Sequence, residues 1–160
     1  MLTLLYRLYH YHAWRVGEVL GHLETLPPEV WQRPIAGSFG TLHRLVWHTA
    51  LAEQLWQQRL QGARSTPWPD YDPELPLEAL FDTWQHLADR WPAFIGQDEA
   101  ALATELHYAT LDGKPSTSIR ADALLHVADH CTYHIGQMVT ALRELGQTPF
   151  SVSFIRYTRA

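Results

Sequence analysis

The sequence predicts an all-α four-helix bundle with long crossover loops and a small β-hairpin between the third and fourth helices. Apolar residues recur at steps of three and four in four long segments, which is the period of an amphipathic helix. Proline and glycine end these segments, and one Asp-Gly pair lies between two short β-like runs. The chain has 160 residues, of which 46% are hydrophobic. We therefore expect one domain over residues 1–160, with a core that needs no disulfide.

The first helix is predicted over residues 2–26. Pro27 and Pro28 end it, because proline lacks the backbone N–H that a helix interior requires. Its apolar stripe follows the helical period and consists of Leu2, Leu5, Tyr9, Ala13, Val16, Leu20 and Leu23.

The second helix is predicted to begin after Gly37, with Ser38 as its N-cap, and to end at Gly62. A proline-rich segment over residues 63–76 follows without helical period. It is long enough to cross the end of a bundle, so we interpret it as a crossover and not as a linker between domains. One face of the helix carries Thr41, Leu45, His48, Ala52 and Leu55.

The third helix is predicted over residues 77–96, and Pro92 is expected to kink or shorten it. The Asp-Gly pair at 112–113 is a strong turn signal. Short β-like runs over residues 105–109 and 116–119 flank it, which predicts the hairpin. The stripe of the third helix consists of Leu80, Trp84, Leu87 and Trp91.

The fourth helix is predicted over residues 120–145, with Gly146 just beyond its end and Pro149 after it. Two of its faces carry residues that are not typical of solvent-exposed positions. We expect the bundle core to cover one face, and a cavity or a partner subunit to cover the other. The first face is an apolar seam of Leu124, Ala128, Cys131, Ile135, Met138, Leu142 and Leu145, and the second consists of Val127, His130, His134, Gln137 and Ala141.

Composition and charge exclude several classes of function. The net charge is −5 and no basic patch appears, which argues against a nucleic-acid partner. The apolar run at the N-terminus is broken by Arg7 and two histidines, so no signal peptide is predicted, and no stretch has the length of a membrane span. The single cysteine excludes an intrachain disulfide and fits a reducing compartment. We therefore expect a cytoplasmic protein without a membrane partner.

Three histidines follow one another at intervals of four residues: His126, His130 and His134. Residues four apart on a helix lie on one face, about 6 Å apart, so two of these imidazoles can converge on one metal ion. Two ligands make a weak site, and a third must come from elsewhere. His48 is the best candidate, because it faces inward on the second helix and the small Ala52, one turn later, leaves room for an ion.

Structural explanations compete with metal binding at each of these residues. A single inward histidine is more often a satisfied core or interface residue than a ligand, and a pair of histidines leaves that interpretation open. His43 lies about 140° around the helix from His48 and should point elsewhere. Cys131 lies about 100° from His130 on the apolar seam. We expect its thiol to be buried and unreactive.

Two long segments resemble signatures of the DinB/YfiT-like family. The segment SFGTLHRLVWHTALAEQLWQQRLQG is similar to the second helix of that family, with a Ser-Phe start, a His in mid-helix, then an acidic residue and a Trp. The segment HVADHCTYHIGQMVTALRELGQTP is similar to its fourth helix, in which His-x-x-x-His precedes Gly-Gln and Leu-Gly. YHAWRVGEVL resembles its Tyr-x-x-Trp opening, so the resemblance covers nearly the whole chain.

The resemblance implies a four-helix bundle that binds one divalent metal ion through His48, His130 and His134, and that forms homodimers. His126 is then expected to cap the site or to contact the hairpin. Gln137, near the next turn after His134, could hydrogen-bond a ligand imidazole or a metal-bound water. Characterised relatives include thiol-dependent S-transferases and a mycothiol-dependent isomerase.

Three neutral imidazoles leave a divalent ion with open positions, which is typical of catalytic sites. Zinc or nickel suits these ligands, and iron also fits. A bound water or thiol would be activated to attack an electrophile. We therefore expect a metal-dependent transferase or hydrolase acting on a small electrophile, with a low-molecular-weight thiol as the cosubstrate that the resemblance implies.

The alternatives are a stress-response protein that binds metal without turnover, and histidines that hold no metal and support a dimer interface. No catalytic acid or base can be assigned, and the sequence leaves enzymatic activity open.

Overall fold

The computed structural model describes residues 1–96 and 98–159. Four long helices dominate this part of the chain, as the sequence predicts, and they are α1, α2, α3 and α6 below. In chain order the elements are α1 (Leu2–Leu23), the short 3-10 helix Pro28–Val30, α2 (Leu42–Leu60), α3 (Leu77–Arg90), α4 (Pro92–Ile95), α5 (Glu99–Leu102), β1 (Glu105–Ala109), β2 (Pro115–Ile119), α6 (Arg120–Glu144) and α7 (Phe154–Tyr157).

The four long helices form a bundle in which α1 and α2 each pack against α3 and α6. This arrangement confirms the predicted fold class. The apolar seam predicted for the fourth helix is buried along its whole length. Within the described residues, no helix has both the length and the apolar character needed to cross a membrane.

The proline-rich segment is a crossover, as predicted, and it runs along the bundle. The helices α2 and α3 are parallel neighbours, since Glu53 contacts Trp84 and the later Gln57 contacts Leu87. The chain must therefore return along the whole length of α2. It does so alongside that helix, where Trp68 packs on His48 with ring centroids 5.0 Å apart and Tyr71 contacts His43.

The hairpin is confirmed where the sequence predicts it. Strands β1 and β2 pair antiparallel, with Glu105 opposite Ile119 and Ala109 opposite Pro115. Gly113 has a φ of 81°, a left-handed conformation that favours glycine at the turn. The hairpin packs against α2 through β1, and β2 leads directly into α6.

Two predicted helix ends are wrong by one turn or less. The first helix ends at Leu23 and not at residue 26, because the hydroxyl of Thr25 donates to the carbonyl of His22 and the chain turns before Pro27. The prediction of Ser38 as the N-cap of α2 is also wrong. The N-cap is Thr41, whose hydroxyl accepts a hydrogen bond from the backbone N–H of Arg44 at 3.2 Å.

Proline shortens the third helix, as predicted. The helix α3 ends at Arg90, and Pro92 occupies the first turn of the separate short helix α4. Gly96, with a φ of 81°, ends α4 at the position predicted for the end of the whole segment. The fourth helix also ends as predicted, because Gly146 adopts a left-handed φ of 74° just after its last turn.

The buried apolar residues form two clusters. One includes Leu23, Leu42 and Leu142, and the other includes Leu5, Trp91 and Leu124. Along α1, α2 and α6, the residues of the two clusters occupy opposite ends. The polar side chains described below lie between them.

Candidate metal centre

Three histidine rings meet between α2 and α6. The ring centroid of His48 lies 4.7 Å from that of His134 and 5.5 Å from that of His130, and the two rings on α6 lie 4.3 Å apart. One nitrogen from each ring can be chosen so that all three nitrogens lie within 4.8 Å of one another. The structure therefore brings together the three histidines that the sequence selects.

Helix geometry accounts for this convergence. His130 and His134 are one turn apart on α6, so their side chains share a face. His48 lies on the face of α2 that packs against α6, between the buried residues Leu45 and Ala52. The Ala52 side chain is small, which leaves room for the rings from α6.

Gln137 fixes the orientation of one ring. Its side-chain oxygen lies 2.7 Å from Nδ1 of His134, so this nitrogen donates a hydrogen bond and carries the ring proton. Nε2 of His134 then presents its lone pair, and it lies 3.0 Å from Nε2 of His130. Phe39 supports the other side of the ring, edge to face, at a centroid distance of 5.3 Å.

The surroundings keep the three rings uncharged. The pKa of His48 is lowered to about 4, mainly by burial and also by the neighbouring His134 and Arg44. The pKa of His130 is also lowered to about 4, mainly by burial and in addition by the neighbouring His134 and His48. The pKa of His134 is lowered by burial as well, although its hydrogen bond with Gln137 acts in the opposite direction. Neutral imidazole is the form that binds metal ions.

The donor set fits a divalent transition metal. Zinc lies about 2.0–2.1 Å from an imidazole nitrogen, so two nitrogens on one ion are at most about 4.2 Å apart. The Nε2 atoms of His130 and His134 satisfy this limit as they stand. One nitrogen of His48 lies within 4.8 Å of a nitrogen of each of the other two rings, which is close to the same limit.

A cavity of about 220 Å³ opens beside His48 and His130, towards the C-terminal half of α2. His126 is exposed and lies at this cavity, where its ring contacts Trp56 at a centroid distance of 5.1 Å and His130 at 5.7 Å. It also lies close to the hairpin turn, since Leu111 lines the same cavity. The structure thus places His126 next to the cluster and not among the three converging nitrogens.

A second cavity, of about 330 Å³, lies on the opposite side of the three rings, towards the C-terminal end of α6. Phe39, Tyr133 and Gln137 line it. All three of these residues also contact His134, so the cluster lies between the two cavities. The second face predicted for the fourth helix thus packs against α2 and borders these two cavities.

His43 points away from the cluster, as its position around the helix predicts. It is buried, and its Nδ1 lies 2.6 Å from the hydroxyl of Tyr71 while its Nε2 lies 3.0 Å from the carbonyl of Leu75. Both partners belong to the crossover segment. His43 therefore ties that segment to α2.

A buried ionic network that was not predicted from the sequence lies deeper in the bundle. Arg15, His12 and Glu53 are each 1% exposed or less. His12 Nδ1 lies 2.9 Å from the Arg15 guanidinium, and its Nε2 lies 3.0 Å from Glu53. A guanidinium can only donate, so Nδ1 accepts and Nε2 carries the proton that is donated to Glu53. A neutral ring thus connects a buried cation to a buried anion.

Two tryptophans complete this network. The indole N–H of Trp84 donates to one oxygen of Glu53 at 2.9 Å, and that of Trp91 donates to the other at 2.7 Å. Burial acts to raise the pKa of Glu53, but the interaction with His12 and the hydrogen bonds from both indoles lower it below its ordinary value. The sequence held a partial signal, because a buried indole requires an acceptor and the charged Arg15 directly precedes the apolar Val16 of the first helix.

Cys131 lies close enough to His12 and Glu53 for the three side chains to share an ion. The nitrogen and oxygen of the first two already pair with each other, and Arg15 adds a positive charge beside them. Burial raises the pKa of the Cys131 thiol far above its usual range, which disfavours a thiolate ligand. We therefore assign this group to the structure of the bundle and not to a metal centre.

Comparisons with known proteins agree on one family. A family model described as DinB family matches residues 1–160. The protein DinB of Bacillus subtilis (strain 168) is 24% identical over 152 residues, which cover 88% of this chain and 86% of that protein. A crystal structure of a DinB-like protein from Bacillus cereus ATCC 10987 superimposes with a TM-score of 0.64 at 20% identity, covering 87% of this chain and 91% of the other.

Proposed function

Since this chain belongs to the DinB family, we propose that it holds one divalent metal ion through His48, His130 and His134. We further propose that it is a metal-dependent transferase or hydrolase acting on a small electrophile, with a low-molecular-weight thiol as cosubstrate. The observation that carries this proposal is the convergence of three uncharged imidazoles from two helices.

The ligand set favours zinc or nickel, and iron is compatible with it. Three protein ligands leave at least one coordination position for another molecule, as in catalytic zinc sites. A divalent ion held in this way is a Lewis acid that lowers the pKa of a thiol or water bound to it. Gln137 supports this use of the site, because its hydrogen bond holds His134 in the tautomer that presents Nε2.

The space around the cluster suits a small substrate. The cavity beside His48 has a volume of about 220 Å³, which is below the usual range for drug-sized ligands. Trp56 and Trp68 form apolar walls of this cavity beside His48 and His130. A molecule bound there would lie directly against His48 and His130.

Elemental analysis of gently purified protein tests metal binding. We expect about one zinc, nickel or iron per chain, removed by a chelator and restored by added metal. The variant His134→Ala should contain much less metal, whereas a variant at the exposed His107 should retain it. An equal metal content in the wild type and His134→Ala would show that the ion, if any, lies elsewhere.

A thiol-transfer screen with several cellular thiols separates a catalyst from a protein that binds metal without turnover. We expect turnover that requires both the metal and His134. If the metal only stabilises a stress-response protein, its removal should lower the melting temperature sharply and no thiol should react. A chain without bound metal and with unchanged stability in added zinc or nickel would instead favour a structural role for the histidines.

Homodimerisation and a cytoplasmic location stay predictions. The outer face of α6 carries two exposed apolar or aromatic side chains, Leu125 at 49% and Tyr133 at 64% exposure. Analytical ultracentrifugation of the wild type and Tyr133→Ala measures whether this face is used between copies of the chain.

A further inference from the structure

Arg59 is a buried cation whose neighbours in the described part of the chain are neutral. Its side chain is 6% exposed. It donates to the hydroxyl of Thr66 at 3.1 Å and to the carbonyl of Ala109 at 3.2 Å, and no described carboxylate pairs with it. Buried charges are normally paired, so a guanidinium held by neutral acceptors alone is open to an anionic partner.

Aromatic rings hold this guanidinium in place. Its central carbon lies 4.7 Å from the ring centroid of Trp56 and 4.7 Å from that of Tyr108. Such contacts favour a cation and restrict its movement. Burial lowers the pKa of Arg59, but an arginine side chain remains protonated in proteins. The result is a fixed positive charge with a defined donor geometry.

Arg59 lines the same cavity as His48 and His130. It lies eleven residues after His48 on α2, which is about three turns and places both side chains on the same face. Side chains on a helix lean towards its N-terminus, so that of Arg59 leans towards His48. Among the described residues that line this cavity, none is an aspartate or a glutamate. The cavity therefore has the histidine cluster at one end and a positive charge at the other.

We propose that Arg59 binds a carboxylate of the small molecule that occupies this cavity. This inference rests on the proposed function, and it adds the chemical class of the substrate or cosubstrate. That molecule has a group that reaches the histidine cluster and, several bonds away, an anionic end. An arginine fork matches a carboxylate with two parallel hydrogen bonds, which gives both affinity and orientation.

Matched pairs of ω-mercapto carboxylates and ω-mercapto alcohols of equal chain length test this proposal. Their dissociation constants are measured by calorimetry for the wild type, in both zinc-loaded and metal-free protein. We expect the carboxylate to bind about tenfold tighter than the alcohol, the scale of one hydrogen-bonded charge. The preference should be largest at one chain length, because both ends of the cavity are fixed.

The variant Arg59→Gln should lose this preference while binding the alcohol as the wild type does. Arg59→Lys should retain part of it, because the charge stays and the fork is lost. Arg143→Gln is the matched control, since it makes the same change in charge at an exposed position outside the cavity. An unchanged preference in Arg59→Gln, or no preference in the wild type, overturns the proposal.

The metal-free titration separates this proposal from the metal proposal. A carboxylate preference that depends on Arg59 in protein that takes up no zinc would support the anion site and refute the metal centre. Because Arg59→Gln removes a buried contact and could unfold the chain, a crystal structure of the wild type with the best mercapto carboxylate provides an independent test. We expect its carboxylate within hydrogen-bond distance of Arg59, and a carboxylate directed to solvent would exclude the proposed contact.

Discussion

The Nε2 atoms of His130 and His134 lie 3.0 Å apart and face each other. Gln137 accepts the hydrogen of His134 Nδ1, so only His130 can supply the hydrogen between the two rings. An ion that bound both nitrogens would displace that single proton, and the backbone of α6 would not have to move. These two residues therefore form a preorganised pair, to which α2 adds His48.

The first prediction concerns the ligands themselves. Replacing His130 or His134 by alanine should weaken zinc binding by more than about a hundredfold. Removing the hydrogen-bond partner of a ligand usually weakens metal binding by about 10- to 100-fold, and removing the ligand itself should have a larger effect. The helix content should change little, since both side chains lie beside cavities. Zinc titration with a competing chelator, followed by circular dichroism, measures both quantities.

His126→Ala provides the comparison for this prediction. Its ring lies 5.7 Å from that of His130 and packs on Trp56, so its loss should weaken zinc binding less than the loss of His134. The reverse order would mean that the ion uses the earlier pair of histidines on α6.

The second prediction concerns Gln137. Gln137→Leu keeps the approximate size of the side chain but removes the acceptor for His134, so zinc affinity should fall about 10- to 100-fold. Thr140→Val is the control, because it lines the same cavity without a hydrogen bond to the cluster. Equal affinities in Gln137→Leu and the wild type would mean that the orientation of His134 does not depend on this contact.

Periodicity was sufficient to predict the four helices, because each long helix buries a continuous stripe. Spacing also placed His126, His130 and His134 on one face of the fourth helix and His48 at an inward position of the second, and the resemblance to the DinB/YfiT-like family then favoured His130 and His134 as the pair. The sequence could not give the direction of the crossover. That direction depends on α2 and α3 being parallel, which is a property of the assembled bundle.

The buried network escaped prediction for a related reason. His12 and Glu53 lie 41 positions apart, and nothing in the local pattern of either helix indicates that they meet. Trp84 and Trp91 fitted an apolar stripe and were assigned to packing. They are indeed buried, but both also donate hydrogen bonds to Glu53.

The third prediction is that this network is strongly coupled. Glu53→Gln leaves the Arg15 charge buried without its anion, so the free energy of unfolding should fall by about 3–5 kcal/mol. Arg15→Met should cost a similar amount, because it leaves Glu53 uncompensated. The double variant should cost clearly less than the sum of the two, as measured by urea denaturation in a double-mutant cycle.

The exposed pair Arg156 and Glu18, at 3.1 Å, is the control for this cycle. Removing Arg156 should change the free energy of unfolding by less than about 1 kcal/mol. If removing the buried charges changed the free energy of unfolding by as little as removing Arg156, the network could not be a determinant of stability.

The fourth prediction is that metal-free protein loses stability as the pH falls from about 6.5 to 4. The pKa of an unfolded histidine is about 6.5, whereas the pKa values of His48 and His130 in the fold are about 4. Between these values the unfolded chain binds more protons, so the free energy of unfolding decreases with decreasing pH. Urea denaturation in a chelator at several pH values should give a shallower dependence for the double variant His48→Gln/His130→Gln. The exposed His10→Gln should follow the wild type, and equal slopes for all three proteins would show that these rings do not resist protonation in the fold.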